Sequence, residues 1–183
     1  MSVAPRRSGL RKTLAAVFGT VAAVGLLFLG VGLLLSGEWR AERAVHIEAG
    51  PDLVFPYLDS LALWDEWTVW GDIESQLTGP ARGAGATRSW DNDAYGQGTF
   101  TLVESSEAGG VRYRVDLEPG SATIAGQFDL VARDGGTTVT WVEAGDFGNN
   151  PLLGYVARTM GRSQGAELER SLDRLKAVVE GGS

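Results

Sequence analysis

Gly161-Arg162-Ser163-Gln164-Gly165 has the G-x-S-x-G spacing that holds a nucleophilic serine on a strand-to-helix elbow. That chemistry needs a strand before the serine and a histidine after it. Here the pentapeptide lies inside a run of helical periodicity, and the one histidine of the chain, His46, precedes it. The match is therefore one of spacing alone. Gly83-Ala84-Gly85 leads into a strand-like run, not a helix, and so reads as a turn instead of a dinucleotide cradle. The absence of cysteine removes disulfides, thiolate-bound zinc, iron–sulfur clusters and thiol nucleophiles, and a single histidine leaves no histidine pair for a metal. His46 falls between Val45 and Ile47 on the polar face of a strand, where a solvated side chain is expected. Asp65, Glu66, Asp91, Asp93 and Glu143 are carboxylates able to do acid–base work, yet carboxylates are ordinary in turns and the spacing forces no pair into a cleft. No catalytic residue, metal or cofactor is expected.

The aromatic residues carry more. Trp64, Trp67 and Trp70 recur every third residue and share a face if that stretch is helical. They suit the rim of a cavity, or equally a lock that holds short helices on a sheet. Strand alternation collects Trp90, Phe100, Leu102, Val111, Tyr113, Val115, Ile124, Phe128, Leu130, Val139 and Trp141 on one face, the expected concave one. Arg88 shares the parity of Trp90; pointing inward it would hold a ligand's polar head, but arginine is seldom buried without a partner, so a rim or outward position is expected. Gly161 and Gly165 interrupt a helix on its inward register, each at a cost of about 1 kcal/mol relative to alanine. Close packing explains them, and so does room left for a ligand. The candidate ligand-binding set is Trp67, Trp70, Arg88, Trp90, Phe100, Tyr113, Phe128, Trp141, Met160, Gly161, Gln164 and Gly165.

Two kinds of element must position these residues. Leu14 to Leu35 is free of charge and long enough to cross about 30 Å of hydrocarbon as a helix. It exceeds the apolar region of a signal peptide, about 7 to 15 residues, and Leu35-Ser36-Gly37 is a poor cleavage site. An uncleaved anchor over 14–35 is expected, behind a basic tail at 1–13. Arg6, Arg7, Arg11 and Lys12 precede it while only Arg40 and Arg43 follow closely, which favours a cytoplasmic N-terminus and an extracytoplasmic C-terminal domain. Trp39 is placed as an interfacial aromatic, and Ala15, Gly19 and Ala23 offer a weak small-residue face for pairing two such helices. The net charge of -7 and the lack of a basic patch on the remainder argue against nucleic acid.

Residues 38–183 read as one α+β domain. A strand over 43–48 meets Gly50-Pro51, which opens a helix carrying Leu53, Val54, Phe55 and Leu58, and a second short helical stretch covers 61–67. Alternating runs at 86–91, 98–104, 111–117, 123–132 and 137–143 are separated by Asn92-Asp93, Ala108-Gly109-Gly110, Pro119-Gly120 and Asp134-Gly135-Gly136, the turn chemistry of an antiparallel meander. Asn149-Asn150-Pro151 then caps a long amphipathic helix marked by Leu152, Val156, Met160, Leu168, Leu172, Leu175 and Val179.

Val45-x-Ile47-x-Ala49-x-Pro51-x-x-Val54-Phe55, Leu63-Trp64-x-x-Trp67, Gly83-x-Gly85 with Trp90 and Gly98, and Thr138-x-x-Trp141 follow one another in this order. In that order they resemble the polyketide cyclase/dehydrase and START-like lipid-transfer superfamily, often called SRPBCC. The resemblance covers essentially all of 38–183. It implies a helix-grip fold, a curved antiparallel sheet around a long C-terminal helix, enclosing an apolar cavity; members bind lipids, sterols or polyketides, and only some are enzymes. An N-terminal anchor departs from the plain cytosolic members. The expected function is a membrane-anchored carrier of a hydrophobic small molecule or lipid. The alternatives are a cyclase, dehydratase or hydrolase acting through Asp or Glu, and a structural interaction domain with a filled core.

Overall fold

The computed structural model describes residues 7–93, 96–117, 120, 122–148 and 150–182. Helix α1 spans Arg7–Leu34, beginning within the basic tail, well before the apolar run; its Thr13–Leu34 portion is long and apolar enough to cross a membrane and is exposed over most of its length. Strand β1 (Glu38–Ile47), helix α2 (Pro51–Asp59) and two single 3-10 turns (Leu63–Glu66 and Val69–Asp72) follow. Strands β2 (Gln76–Thr78), β3 (Thr87–Asn92), β4 (Gly96–Ser106), β5 (Gly110–Leu117), β6 (Ala122–Arg133) and β7 (Gly136–Asp146) form the meander, and helix α3 (Leu153–Gly181) closes it.

All neighbouring strands are antiparallel, in the order β1-β7-β6-β5-β4-β3-β2, so the first strand returns beside the last. This is the helix-grip arrangement expected from the sequence. The alternating parity holds across the sheet: Trp90, Phe100, Leu102, Val111, Tyr113, Val115, Phe128, Val139 and Trp141 are all buried on the concave face. Two glycines let large rings lie against the strands, since a Cβ at Gly98 would strike the Trp90 indole and one at Gly126 the Tyr113 ring.

Several expectations need correction. Strand β1 starts at Glu38, five residues before the alternating run, because Trp39 and Ala41 alternate inward with charged neighbours. Trp39 is therefore buried in the core over Gly145 and is no interfacial anchor. His46 is half-buried, its Nδ1 3.4 Å from Thr138 Oγ1. Helix α3 has Leu152 at its N-cap position with no side-chain cap; Asn150 Oδ1 accepts the Leu152 N–H at 3.0 Å in the turn before it, which also holds Pro151, while Asn149 and Pro119, named in the expected turns, lie outside the described residues. Gly83 and Gly85 form a turn, both at positive φ (77° and 90°) that disfavours side chains. Ser163 sits in the middle of α3 and donates to the Met160 carbonyl at 3.1 Å, so no nucleophile elbow exists there.

Candidate functional site

The 3-10 turns, the concave sheet and the middle of α3 enclose a cavity of about 250 Å³. Its walls are almost wholly apolar: Trp64, Val69, Trp70 and Ile73 from the turns, Trp90, Phe100, Val115, Leu117, Ile124 and Trp141 from the strands, and Leu168 from α3. Rings pack edge to face around it. Trp64 meets Phe100 at 4.9 Å and 73° between planes, and Trp70 meets Trp90 at 4.9 Å.

One corner of this apolar space is polar. Glu143, on β7 two residues beyond Trp141 and therefore on the same face, is buried. One carboxylate oxygen accepts the Tyr113 hydroxyl and the other accepts Gln164 Nε2 at 2.6 Å, while Trp141 Nε1 donates to the Tyr113 oxygen at 2.8 Å. Burial is the main force on both acids. It raises the Glu143 carboxyl above its ordinary range, against the hydrogen bonds from Tyr113 and Gln164. Burial, and then the neighbouring Glu143, push the Tyr113 phenol well above its ordinary value.

A carboxyl whose pKa is higher in the fold than in the unfolded chain contributes its stability in acid and loses it as pH rises through the folded value. Glu143→Gln, neutral at every pH, removes that dependence, and the Gln164 amide can turn to meet the new NH2. The melting temperatures of variant and parent should therefore keep a fixed offset below about pH 4, the unperturbed carboxylate range, and move in the variant's favour as pH rises above it. Thermal melts across that range check this; an offset independent of pH would mean that the carboxyl titrates normally.

Among the sequence candidates, Trp70, Trp90, Phe100, Trp141 and Gln164 line the cavity. Tyr113 stands behind them as the hub of the polar corner. Phe128 and Trp67 are fully buried in the core beneath, Trp67 Nε1 donating to the Tyr57 carbonyl at 3.3 Å, so Trp67 locks the turns in place. Met160 packs half-buried against that core away from the cavity. The two α3 glycines leave no room for a ligand. A Cβ at Gly161 would lie 2.7 Å from the Arg40 carbonyl oxygen, and one at Gly165 2.6 Å from the Arg43 guanidinium, so they permit the helix to cross β1 closely. Arg88 is neither outward nor at a rim. It is buried at 2% exposure because it has the partner that its burial requires, Asp65 at 2.6 Å, together with the Leu61 carbonyl at 2.6 Å and Ser75 Oγ at 2.9 Å. Its charge is thus committed to the protein. Glu143 was passed over in the sequence although its parity with Val139 and Trp141 points it inward; Val69 and Ile73 lie in irregular turns where no period marks a face.

Chemically, the arrangement can desolvate an apolar group and offer one hydrogen-bonding corner to a polar atom. Among the described residues no group of His, Cys, Asp and Glu side chains could hold a metal ion.

A family model described as "Polyketide cyclase / dehydrase and lipid transport" matches residues 38–180. Among solved structures, the chain is similar to Ara h 8.0201 (13% identity, TM-score 0.56, 78% of this chain and 98% of that one). It is likewise similar to Mll3558 from Rhizobium loti (20% identity, TM-score 0.55, 76% and 96%) and to the di-domain ARO/CYC BexL of the BE-7585A biosynthetic pathway (15% identity, TM-score 0.54, 79% and 50%). No protein with a curated description matches the chain.

Proposed function

We propose, for a chain that belongs to the polyketide cyclase / dehydrase and lipid transport family, a binding domain that holds one hydrophobic small molecule and is tethered to a membrane by α1. The observation that carries this reading is the cavity itself: mostly apolar, with Thr68, Glu143, Gln164 and Glu167 its polar lining residues, and built from the turns, the sheet and α3. An engineered cavity of about 150 Å³ takes up benzene. The larger space here suits a ring system or a single acyl segment, not a whole two-chain lipid, with a hydroxyl or carbonyl of the ligand at the polar corner. The charge-free stretch of α1 supports the tether, and the four basic residues before it support a cytoplasmic N-terminus.

A second reading rests on Glu143. A buried carboxyl with a raised pKa inside a cavity is what a general acid requires, and the similar structure BexL is a di-domain ARO/CYC of a biosynthetic pathway. Binding is favoured because both carboxylate oxygens already have protein partners. Glu143→Gln separates the two: a carrier keeps its ligand, whereas an enzyme keeps the ligand and loses turnover.

The buried core runs from Trp39 to Val179, so residues 38–183 hold their own core and can be tested without α1. Titration of that domain with a fluorescent fatty acid should show saturable binding. Val115→Trp projects into the cavity from β5 and should weaken it at least tenfold, at an overpacking cost of about 1–3 kcal/mol. Val131→Trp, on the exposed face of β6, should leave binding unchanged. Equal affinity in both variants would place the probe elsewhere.

A further inference from the structure

We infer that the first two turns of α3 are seated in the same membrane leaflet as the C-terminal end of α1, which holds the Leu117–Ile124 end of the cavity at the lipid surface. This rests on the tether proposed above. The Tyr155 ring stacks flat on Phe28 of α1, centroids 4.3 Å apart and planes 2° apart, and its hydroxyl donates to the Phe28 carbonyl at 2.8 Å. Two glycines bring the backbones together: a Cβ at Gly32 would strike the Pro151 carbonyl, and one at Gly154 would lie 2.8 Å from Leu35 Cβ.

Phe28 precedes the end of α1 by six residues, so Tyr155 stands about 9 Å below the point where α1 ends, at 1.5 Å per residue. Helices that lie in a membrane interface bury their apolar faces by about 5–10 Å. The hydroxyl bond fits that depth, because in hydrocarbon a tyrosine has no water to pair with and must find a protein acceptor. Leu152 and Val156, one turn apart and 54% and 43% exposed, extend the exposed apolar surface of α1 without a break. On water such a patch would be costly; beside a membrane helix it is continuous with the lipid-facing surface.

Charge agrees. Between Pro151 and Ala166 the sequence has two arginines, Arg158 and Arg162, and no acid, in a chain whose net charge is -7. Both arginines are exposed, and neither forms an ion pair among the described residues. At a helix turn above the apolar patch they are placed to reach lipid phosphates, with their aliphatic stems over the acyl boundary. The same end of the sheet forms part of the cavity: Ile124 pairs with Gly145, and Gly145 with Trp39, five residues beyond the end of α1. The Leu117–Ile124 end of the cavity is therefore the end nearest the bilayer.

The absence of cysteine makes single-cysteine labels unambiguous. Full-length protein in lipid nanodiscs, labelled with an environment-sensitive fluorophore at Leu26→Cys, Val156→Cys or Val131→Cys, is exposed to lipids carrying a shallow spin-label quencher. The expected result is at least twofold quenching at Leu26 and Val156 and none at Val131; Leu152→Cys repeats the α3 measurement should Val156→Cys fail to fold. Quenching at Leu26 but at neither α3 position overturns the seating and leaves the tether intact. Quenching at none of these sites overturns the tether and the seating together.

Discussion

Trp64→Ala should lower the stability of the domain by about 3–5 kcal/mol, the range for truncating a buried tryptophan. Trp64 is 1% exposed and stands at the centre of the aromatic cluster, within 5.1 Å of Trp67, 4.9 Å of Phe100, 5.6 Å of both Tyr113 and Phe128, and 6.2 Å of Trp141, centroid to centroid. Its Nε1 donates to the Leu58 carbonyl at 3.1 Å and so ties the first 3-10 turn to α2. Truncation loses both the packing and the tie. Trp64→Phe keeps much of the packing and should cost about half as much, since the hydrogen bond contributes only about 0.5–1.5 kcal/mol. Urea unfolding at constant slope measures both. A loss under about 1 kcal/mol for the alanine variant would mean that the cluster collapses readily into the space and that the cavity wall is soft.

Asp65→Ala should be the most damaging change at a partly exposed position. It leaves the Arg88 guanidinium buried with only the Leu61 carbonyl and Ser75 Oγ for company, while Arg88 Nε already lacks a partner. Removing one member of a buried pair costs about 3–5 kcal/mol; because Asp65 is 45% exposed and water can enter in its place, the lower end of that range is expected. Arg88→Met removes the charge and keeps most of the volume beneath Trp70, so it should cost less than Asp65→Ala. The reverse order, read from denaturant midpoints, would show that the guanidinium is stabilised by water or by another group. Since this strap joins β3 to the turn that carries Trp64, both variants should also loosen the cavity wall.

The meander and the closing helix were readable in the sequence because a half-buried strand repeats every second residue and turn residues separate the runs. That one rule placed the aromatic face from Trp90 to Trp141 correctly. It failed where burial does not alternate: β2 is three exposed residues with no period to detect, and Trp39 stands among charges that hide the start of β1. Arg88 had the inward parity, but its partner is 23 residues away and reaches it only through the fold. The α3 glycines were legible as close approaches; what approaches them, the Arg40 carbonyl and the Arg43 side chain of β1, depends on how the helix crosses the sheet. Glu143 was legible in full, from parity alone, and was discounted because carboxylates rarely face a core.

Native mass spectrometry of residues 38–183, purified without detergent and then offered decanoic acid, tests ligand binding in the cavity most directly. The expected spectrum shows the chain with one apolar molecule bound, either carried from the cell or taken up from solution, and Val115→Trp shows the bare chain under the same conditions. A wild-type domain that is folded by thermal melt and yet shows only its bare mass, before and after the fatty acid, would contradict a binding function for this cavity.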